Sequence, residues 1–120
     1  MLNFLKKLFG SSNSASAGYS NLNPNDFGQK ITQHTEGVVL DVRTADEFKS
    51  GHLPKAINAN VMSNELITKA GKLHKAKPVF VYCRSGARSA KACKTLVNMG
   101  FTDVYNMSGG ISSWNGKVVR

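Results

Sequence analysis

From residue 21 onward, the pattern of hydrophobic and polar positions divides the chain into short segments of two alternating kinds. Apolar runs rich in β-branched residues at 38–42 and 78–82 are typical of strands buried on both faces of a sheet. Two further short strands are predicted at 56–59 and 104–107. The segments between these runs carry helix signals. The alternation predicts an α/β fold with a central, mostly parallel sheet and helices on both faces.

Capping residues indicate where the helices begin. Asn23 precedes Pro24 and Asp26, the pattern of an N-cap, a proline at the first helical position and an acid in the first turn. Thr44 followed by Glu47 is a capping-box pattern. From these and similar signals, helices are expected at 24–33, 44–51, 63–73 and 89–99, the last stopped by Gly100.

The first 20 residues differ in composition from the rest. Residues 1–9 combine Met, Leu and Phe with two lysines and could form a short amphipathic helix on anionic lipid, with a frayed terminus as the equally weighted alternative. Residues 10–18 are rich in Ser, Ala and Gly, which is typical of a flexible linker. We therefore expect a tail over 1–20 and one folded domain over 21–120.

Targeting signals in the tail are weak. The sequence Ala15-Ser16-Ala17 resembles a signal-peptidase site, but Lys6 and Lys7 interrupt the apolar run before it, which weighs against export. No stretch approaches the ~20 apolar residues of a transmembrane helix. The expected location is the cytoplasm, with weak contact of residues 1–9 with the inner membrane surface as an alternative.

Composition and charge narrow the choice of partner. The 120 residues suffice for one core, and 16 Lys and Arg against 7 Asp and Glu give a net charge of +9, which favours an anionic partner. Nucleic acid is not expected, because the basic residues lack the interleaved aromatic residues used for base stacking. The two cysteines and three histidines show no metal-ligand spacing, so no metal or cofactor is expected. The lysines at 69, 72, 75 and 77 are expected to form a solvated face.

Cys83 carries the strongest chemical signal. It ends a predicted strand and is followed by a glycine-containing loop and a helix, so backbone N–H groups and the positive end of the helix dipole should converge on it. Arg84 and Arg88 add positive charge. These features favour a thiolate nucleophile that meets anionic substrates, whereas the alternative is a buried structural cysteine. Cys93 lies on an apolar helical face and is expected to be core.

Five separated motifs occur in order along the chain. The motifs are Leu40-Asp41-Val42-Arg43, Glu47-Phe48, Gly51-His52-Leu53-Pro54 with Ala56-Ile57-Asn58, Val81 to Ser89, and Gly109-Gly110 with Trp114. Together they resemble the rhodanese family, and the resemblance covers about residues 20 to 116. It implies an α/β fold with about five parallel strands and sulfur transfer through a cysteine persulfide.

The resemblance implies a thiosulfate sulfurtransferase. Cys83 would take the sulfane sulfur of thiosulfate or a related small anion and pass it to cyanide, a thiol or a protein thiol. A persulfide carrier acting between proteins is the alternative. The implied substrate-binding residues follow Cys83 directly: Arg84, Ser85, Gly86, Ala87, Arg88 and Ser89.

A less favoured alternative is a cysteine-dependent phosphatase or arsenate reductase. Those enzymes resemble one another in a Cys, five residues, then Arg pattern. Here Arg88 comes one residue early and position 89 is Ser. The shorter loop is expected to form a cradle too small for phosphate but large enough for a single sulfur atom.

The remaining motif residues are expected to be structural. Asp41 and Arg43 would tie a strand end to neighbouring loops, Glu47 would cap a helix, and His52 would lie in a turn, rather than forming a catalytic triad with Cys83. Trp114, after the Gly109-Gly110 turn, is expected to pack against the sheet. The alternative is that this turn borders the mouth of the pocket.

Overall fold

The computed structural model describes residues 18–120. The proposed membrane-contacting segment 1–9, the signal-like residues 15–17 and nearly all of the proposed linker lie outside this range. Within it, strands and helices alternate along the chain. Their order is β1 (Ser20–Leu22), α1 (Pro24–Gln33), β2 (Val38–Asp41), α2 (Ala45–Lys49), β3 (Ile57–Asn58), α3 (Glu65–Ala70), β4 (Val79–Tyr82), α4 (Ala87–Asn98), β5 (Val104–Met107) and a 3-10 helix (Gly110–Ser113).

The five strands form one parallel sheet in the order β1-β5-β4-β2-β3. The most central strand, β4, is buried along its whole length. Its Val81 lies opposite Leu40 of β2 and Asn106 of β5. The predicted α/β fold with a mostly parallel sheet is confirmed. Cys83 follows β4 directly and therefore lies at the carboxyl edge of the sheet, where parallel sheets bind ligands.

Hydrophobic clusters cover both faces of the sheet, which confirms the predicted helices on both sides. On the first face, Val81 and Cys83 pack with Leu66 of α3 and with Cys93 and Leu96 of α4. On the second face, Phe27 of α1 packs against four side chains of the sheet: Val39, Phe80, Tyr82 and Met107. Cys93 is fully buried in the first cluster, as predicted.

Local signals placed the starts of α1 and α2 and the end of α4 close to where the structure has them. Asn23 caps α1 by accepting a hydrogen bond from the Asp26 N–H at 2.8 Å. Thr44 and Glu47 form the complete capping box of α2. Gly100 follows α4 with a φ of +105°, a left-handed conformation that favours glycine.

The largest differences from the prediction are one additional strand and three elements whose boundaries are shifted. Strand β1 was not predicted, and its first residue falls in the segment assigned to the tail, because a three-residue edge strand carries almost no periodicity. Helix α3 spans Glu65–Ala70 and is therefore shorter than the predicted 63–73. Ser63 precedes the helix, and its Oγ accepts a hydrogen bond from the Glu65 N–H. Helix α4 begins at Ala87 rather than Ser89. Strand β3 is confined to two residues of the predicted 56–59.

A buried polar group fixes the end of β2 beside the cysteine strand. The Asp41 carboxylate accepts from Arg43 Nη2 and from the Tyr82 hydroxyl, each at 2.6 Å, and Arg43 also donates to the Gly51 carbonyl oxygen. Burial raises the pKa of the Tyr82 hydroxyl, and its hydrogen bond to Asp41 adds to that effect. The expected structural role of Asp41 and Arg43 matches these contacts. None of the helices within 18–120 has the length and apolar character to cross a membrane.

Candidate active site

The Cys83 sulfur lies in a cradle of hydrogen-bond donors. Its Sγ accepts from the backbone N–H of Gly86 at 3.1 Å, from the backbone N–H of Ser89 at 3.3 Å and from the Ser89 hydroxyl at 3.3 Å. Both Cys83 and Ser89 are fully buried. The donors therefore face the sulfur inside the protein, where they do not have to be reoriented from solvent when negative charge forms.

The backbone of the loop explains why these donors converge. Gly86 has a φ of +108°, which turns the chain from the end of β4 into α4. Helix α4 begins at Ala87, so the N–H groups of its first turn lack partners within the helix, and that of Ser89 donates to the Cys83 sulfur instead. The positive end of the helix dipole adds to their effect on an anion. The predicted convergence of N–H groups on Cys83 is therefore present.

The cradle favours the thiolate. Burial raises the pKa of the Cys83 thiol, but the hydrogen bonds from the Ser89 hydroxyl and from the N–H groups of Ser89, Gly86 and Ser85 outweigh burial and hold that pKa below its usual range. Cys93 differs, because burial raises the pKa of its thiol and the nearby Cys83 raises it further. Of the two cysteines, Cys83 is the one placed for nucleophilic chemistry.

The two arginines of the loop have different surroundings. Arg84 is exposed, and its guanidinium has no ion-pair partner within residues 18–120. Arg88 binds Glu47 through two hydrogen bonds of 2.7 and 2.9 Å, and both side chains are 27% exposed. The charge of Arg88 is thus largely matched within the protein, whereas that of Arg84 is available to a ligand.

The 3-10 helix is hydrogen-bonded to the backbone of the cysteine loop. The Ile111 N–H donates to the Cys83 carbonyl oxygen at 3.0 Å, and the Ser112 N–H donates to the Arg84 carbonyl oxygen at 3.1 Å. Gly110 has a φ of +61°, and a Cβ added there would collide with the Arg84 backbone. The sequence motif pointed to Gly109-Gly110 as a turn, but this contact with the loop could not be predicted from it.

The remaining motif residues do not converge on the sulfur. His52 stacks on Phe48 with ring centroids 3.7 Å apart, and its Nδ1 lies 2.9 Å from the Phe48 carbonyl oxygen. Trp114 packs against the second-face cluster, and a Cβ added at Gly28 of α1 would lie 3.2 Å from its ring. Within the described part of the chain, no group of three or more His, Cys, Asp and Glu residues could hold a metal ion.

Comparison with known proteins identifies the family of this chain. The model of the rhodanese-like domain family matches residues 23–117. Thiosulfate sulfurtransferase GlpE of Coxiella burnetii is 35% identical over 85 residues, which cover 71% of this chain and 78% of that protein. A rhodanese-related protein of Thermoplasma volcanium, of known crystal structure, is 32% identical, has a TM-score of 0.70, and is matched over 82% of this chain and 96% of its own.

Two Bacillus subtilis proteins are also similar but longer. The uncharacterized protein YqhL is 36% identical over 80 residues, 67% of this chain. The putative sulfur carrier protein YrkF is 31% identical over 91 residues, 76% of this chain. The match spans only 62% of YqhL and 48% of YrkF.

Proposed function

The chain belongs to the rhodanese-like domain family, and we propose that it is a sulfurtransferase that takes a sulfane sulfur from thiosulfate or a related donor onto Cys83. Sulfur transfer in general is supported by the names of similar proteins, among them thiosulfate sulfurtransferase GlpE. The observation that carries the proposal for this chain is the buried Cys83 sulfur with three hydrogen-bond donors directed at it.

In the first half-reaction, the Cys83 thiolate attacks the outer sulfur of thiosulfate. A bond forms between Sγ and that sulfur, the original sulfur–sulfur bond of thiosulfate breaks, and sulfite leaves with its electron pair. Cys83 then carries a persulfide. The exposed guanidinium of Arg84 would attract the donor to the loop, while the N–H groups of Gly86 and Ser89 hold the attacking sulfur as an anion.

In the second half-reaction, a thiolate or cyanide attacks the outer sulfur of the persulfide. That sulfur leaves on the acceptor, and the electron pair of the broken bond returns to Sγ as the Cys83 thiolate. The donors of the cradle stabilise the thiolate as a leaving group because they already face it before the reaction begins. Since the first product leaves before the acceptor reacts, ping-pong kinetics are expected.

The phosphatase alternative is weakened by the position of Arg88. In that class, an arginine six positions after the cysteine binds oxygens of a tetrahedral anion. Here the arginine is five positions after Cys83 and its guanidinium binds Glu47, while position 89 contributes a hydroxyl directed at the sulfur. This arrangement favours a single sulfur atom in the cradle over a phosphate group.

A persulfide carrier is the second candidate function, and the similarity to the putative sulfur carrier YrkF favours it. It uses the same Cys83 chemistry but receives or delivers sulfur at another protein. A steady-state assay with thiosulfate and cyanide separates the two. An enzyme gives sustained turnover with parallel double-reciprocal lines, whereas a carrier loads once and turns over very slowly. Aryl phosphate hydrolysis as fast as sulfur transfer would contradict both.

A further inference from the structure

Positive charge is concentrated in one part of the chain. Residues 66–102 contain eight cationic side chains and no Asp or Glu, although the whole chain has seven acidic residues. The eight are Lys69, Lys72, Lys75, Lys77, Arg84, Arg88, Lys91 and Lys94. Like charges on one surface repel one another and weaken the folded state, so this distribution calls for a compensating function.

The fold brings many of these charges to one surface beside Cys83. Helices α3 and α4 both bury residues in the first-face cluster, so their outer sides face solvent on the same side of the sheet. We call this surface the basic face and define it by the exposed side chains Lys69, Lys72, Arg84, Lys91 and Lys94. Helix α4 begins in the cysteine loop, so the basic face reaches from the mouth of the cradle along the helix.

Most of these cations have no acidic partner. Within residues 18–120, only Lys69 of the basic face forms an ion pair, a 3.9 Å contact with Glu65. Exposed acids occur instead on α1 and α2, at Asp26 and Asp46, alongside lysines. A solvated face usually mixes charges of both signs, and this one does not.

The other side chains near these cations favour a protein over a nucleic acid as the binding partner. Two large apolar residues on α3 or just before it are exposed, Ile67 at 55% and Met62 at 68%. Apolar contacts surrounded by charge are typical of protein interfaces. Base stacking would need exposed aromatic rings, but on this face Phe101 is buried and Tyr19 is partly buried.

We propose that the basic face docks a protein with an acidic surface that carries the thiol exchanging sulfur with Cys83. The proposal rests on the proposed function for the role of that thiol. Complementary charge would speed the encounter and orient the partner, and Met62 and Ile67 would supply apolar contact. The partner's thiol would then approach along the amino-terminal end of α4.

The first experiment measures docking without sulfur chemistry. The probe is a fluorescent peptide of alternating Glu and Gly with one central Ser, and the control peptide has Gln in place of each Glu. At low salt, fluorescence anisotropy should show that the Glu peptide binds roughly tenfold or more tightly than the Gln peptide, with the preference lost as salt rises. Equal binding of the two peptides would overturn the proposal.

A matched pair of variants locates the binding. Lys72→Glu/Lys94→Glu reverses two exposed charges of the basic face, and Lys55→Glu/Lys117→Glu reverses two exposed charges elsewhere, with the same change in net charge. The first should abolish the preference for the Glu peptide and the second should largely keep it. Equal losses would mean that net charge alone attracts the peptide, which contradicts docking at this face.

Single-stranded RNA and anionic phosphatidylglycerol vesicles serve as competing probes. If either bound more tightly than the Glu peptide through the same lysines, the face would be assigned to another partner and the proposal would be overturned.

The second experiment adds the chemistry. The Glu peptide with Cys in place of the central Ser serves as acceptor for protein loaded with thiosulfate. Lys72→Glu/Lys94→Glu should slow transfer to this peptide roughly tenfold, while loading of Cys83 is unchanged. If loading fails in every variant, the proposed function is wrong, and the binding experiment still decides whether the face docks an acidic protein.

Discussion

Arg88 and Glu47 join the cysteine loop to helix α2 through two parallel hydrogen bonds, Nη1 to Oε1 at 2.7 Å and Nη2 to Oε2 at 2.9 Å. Glu47 also accepts from the Thr44 N–H as part of the capping box. One carboxylate therefore completes a helix start and holds the end of the cradle. Arg88 is therefore engaged within the protein, whereas Arg84 is the exposed cation of the loop and has no ion-pair partner within residues 18–120.

The two arginines are expected to respond differently to removal. Arg84→Ala should lower kcat/KM for thiosulfate roughly fivefold to tenfold with little change in stability, because an exposed charge near an anion contributes on the order of 1 kcal/mol. Arg88→Ala should lower the free energy of unfolding by about 1 kcal/mol as well as activity, because Glu47 loses its partner. Urea denaturation and steady-state kinetics measure the two effects. If Arg88→Ala affected only thiosulfate use and Arg84→Ala had no effect, the roles would be reversed.

The ion pair also predicts a pH dependence of stability. The hydrogen bonds from Arg88 lower the pKa of Glu47 from 4.5 to about 2, against the opposing effect of burial. A carboxyl whose pKa is lower in the folded state stabilises the fold above its unfolded pKa, and this contribution is lost as the pH falls from 4.5 towards 2.

Glu47→Gln tests this dependence. Urea denaturation over a pH series should show wild type more stable than the variant above about pH 5, with the gap closing towards pH 2. Adding Arg88→Gln to Glu47→Gln should leave the shape of the pH dependence unchanged, since the pair is already broken. A gap that stays constant from pH 4.5 to 2 would show that the Glu47 carboxylate is not held in this way.

The Ser89 hydroxyl is predicted to sustain the thiolate. Ser89→Ala removes one donor to the Cys83 sulfur but keeps the backbone N–H, so the pKa of Cys83 should rise. Alkylation by iodoacetamide at neutral pH should slow roughly tenfold, because a hydrogen bond to a charged group contributes about 1.5 kcal/mol. Thr95→Ala removes a hydroxyl elsewhere on α4 and serves as control. Equal alkylation rates for wild type and Ser89→Ala would contradict the proposed role of the hydroxyl.

Gly110 is predicted to be required for the shape of the cysteine loop. A methyl group there would meet the Arg84 backbone, and the φ of +61° is itself unfavourable for alanine. Gly110→Ala should therefore destabilise the protein by on the order of 1–3 kcal/mol and reduce sulfur transfer in the fraction that remains folded. Gly71→Ala, at a φ of −61°, is the matched control. Thermal unfolding and activity equal to wild type in Gly110→Ala would mean that the loop does not depend on this contact.

Features that depend on nearby residues were predictable from the sequence. The caps of α1 and α2 act over three residues, and the cradle follows from a strand, a glycine and a helix start in succession. The position of Cys83 at the carboxyl edge follows from the same order of elements. The buried face of α4 likewise follows from its periodicity, which identified Cys93 as a core residue.

Features that depend on contacts between distant residues could not be predicted from the sequence. Strand β1 exists through pairing with β5, where Ser20 lies opposite Tyr105, and three residues give no local signal for that pairing. Glu47 and Arg88 are 41 positions apart, so the capping role of Glu47 could be predicted but its contact with the loop could not. The support of the Cys83 carbonyl by Ile111 is a tertiary contact of the same kind.

Sulfur transfer through Cys83 is tested most directly by the mass of the Cys83 peptide after incubation with thiosulfate. Cys83 should gain the mass of one sulfur atom, which cyanide or a thiol removes again; this gain should be absent in Cys83→Ser and retained in Cys93→Ser. No added sulfur on Cys83 in folded wild-type protein, or added sulfur on Cys93 instead, would contradict sulfur transfer through Cys83.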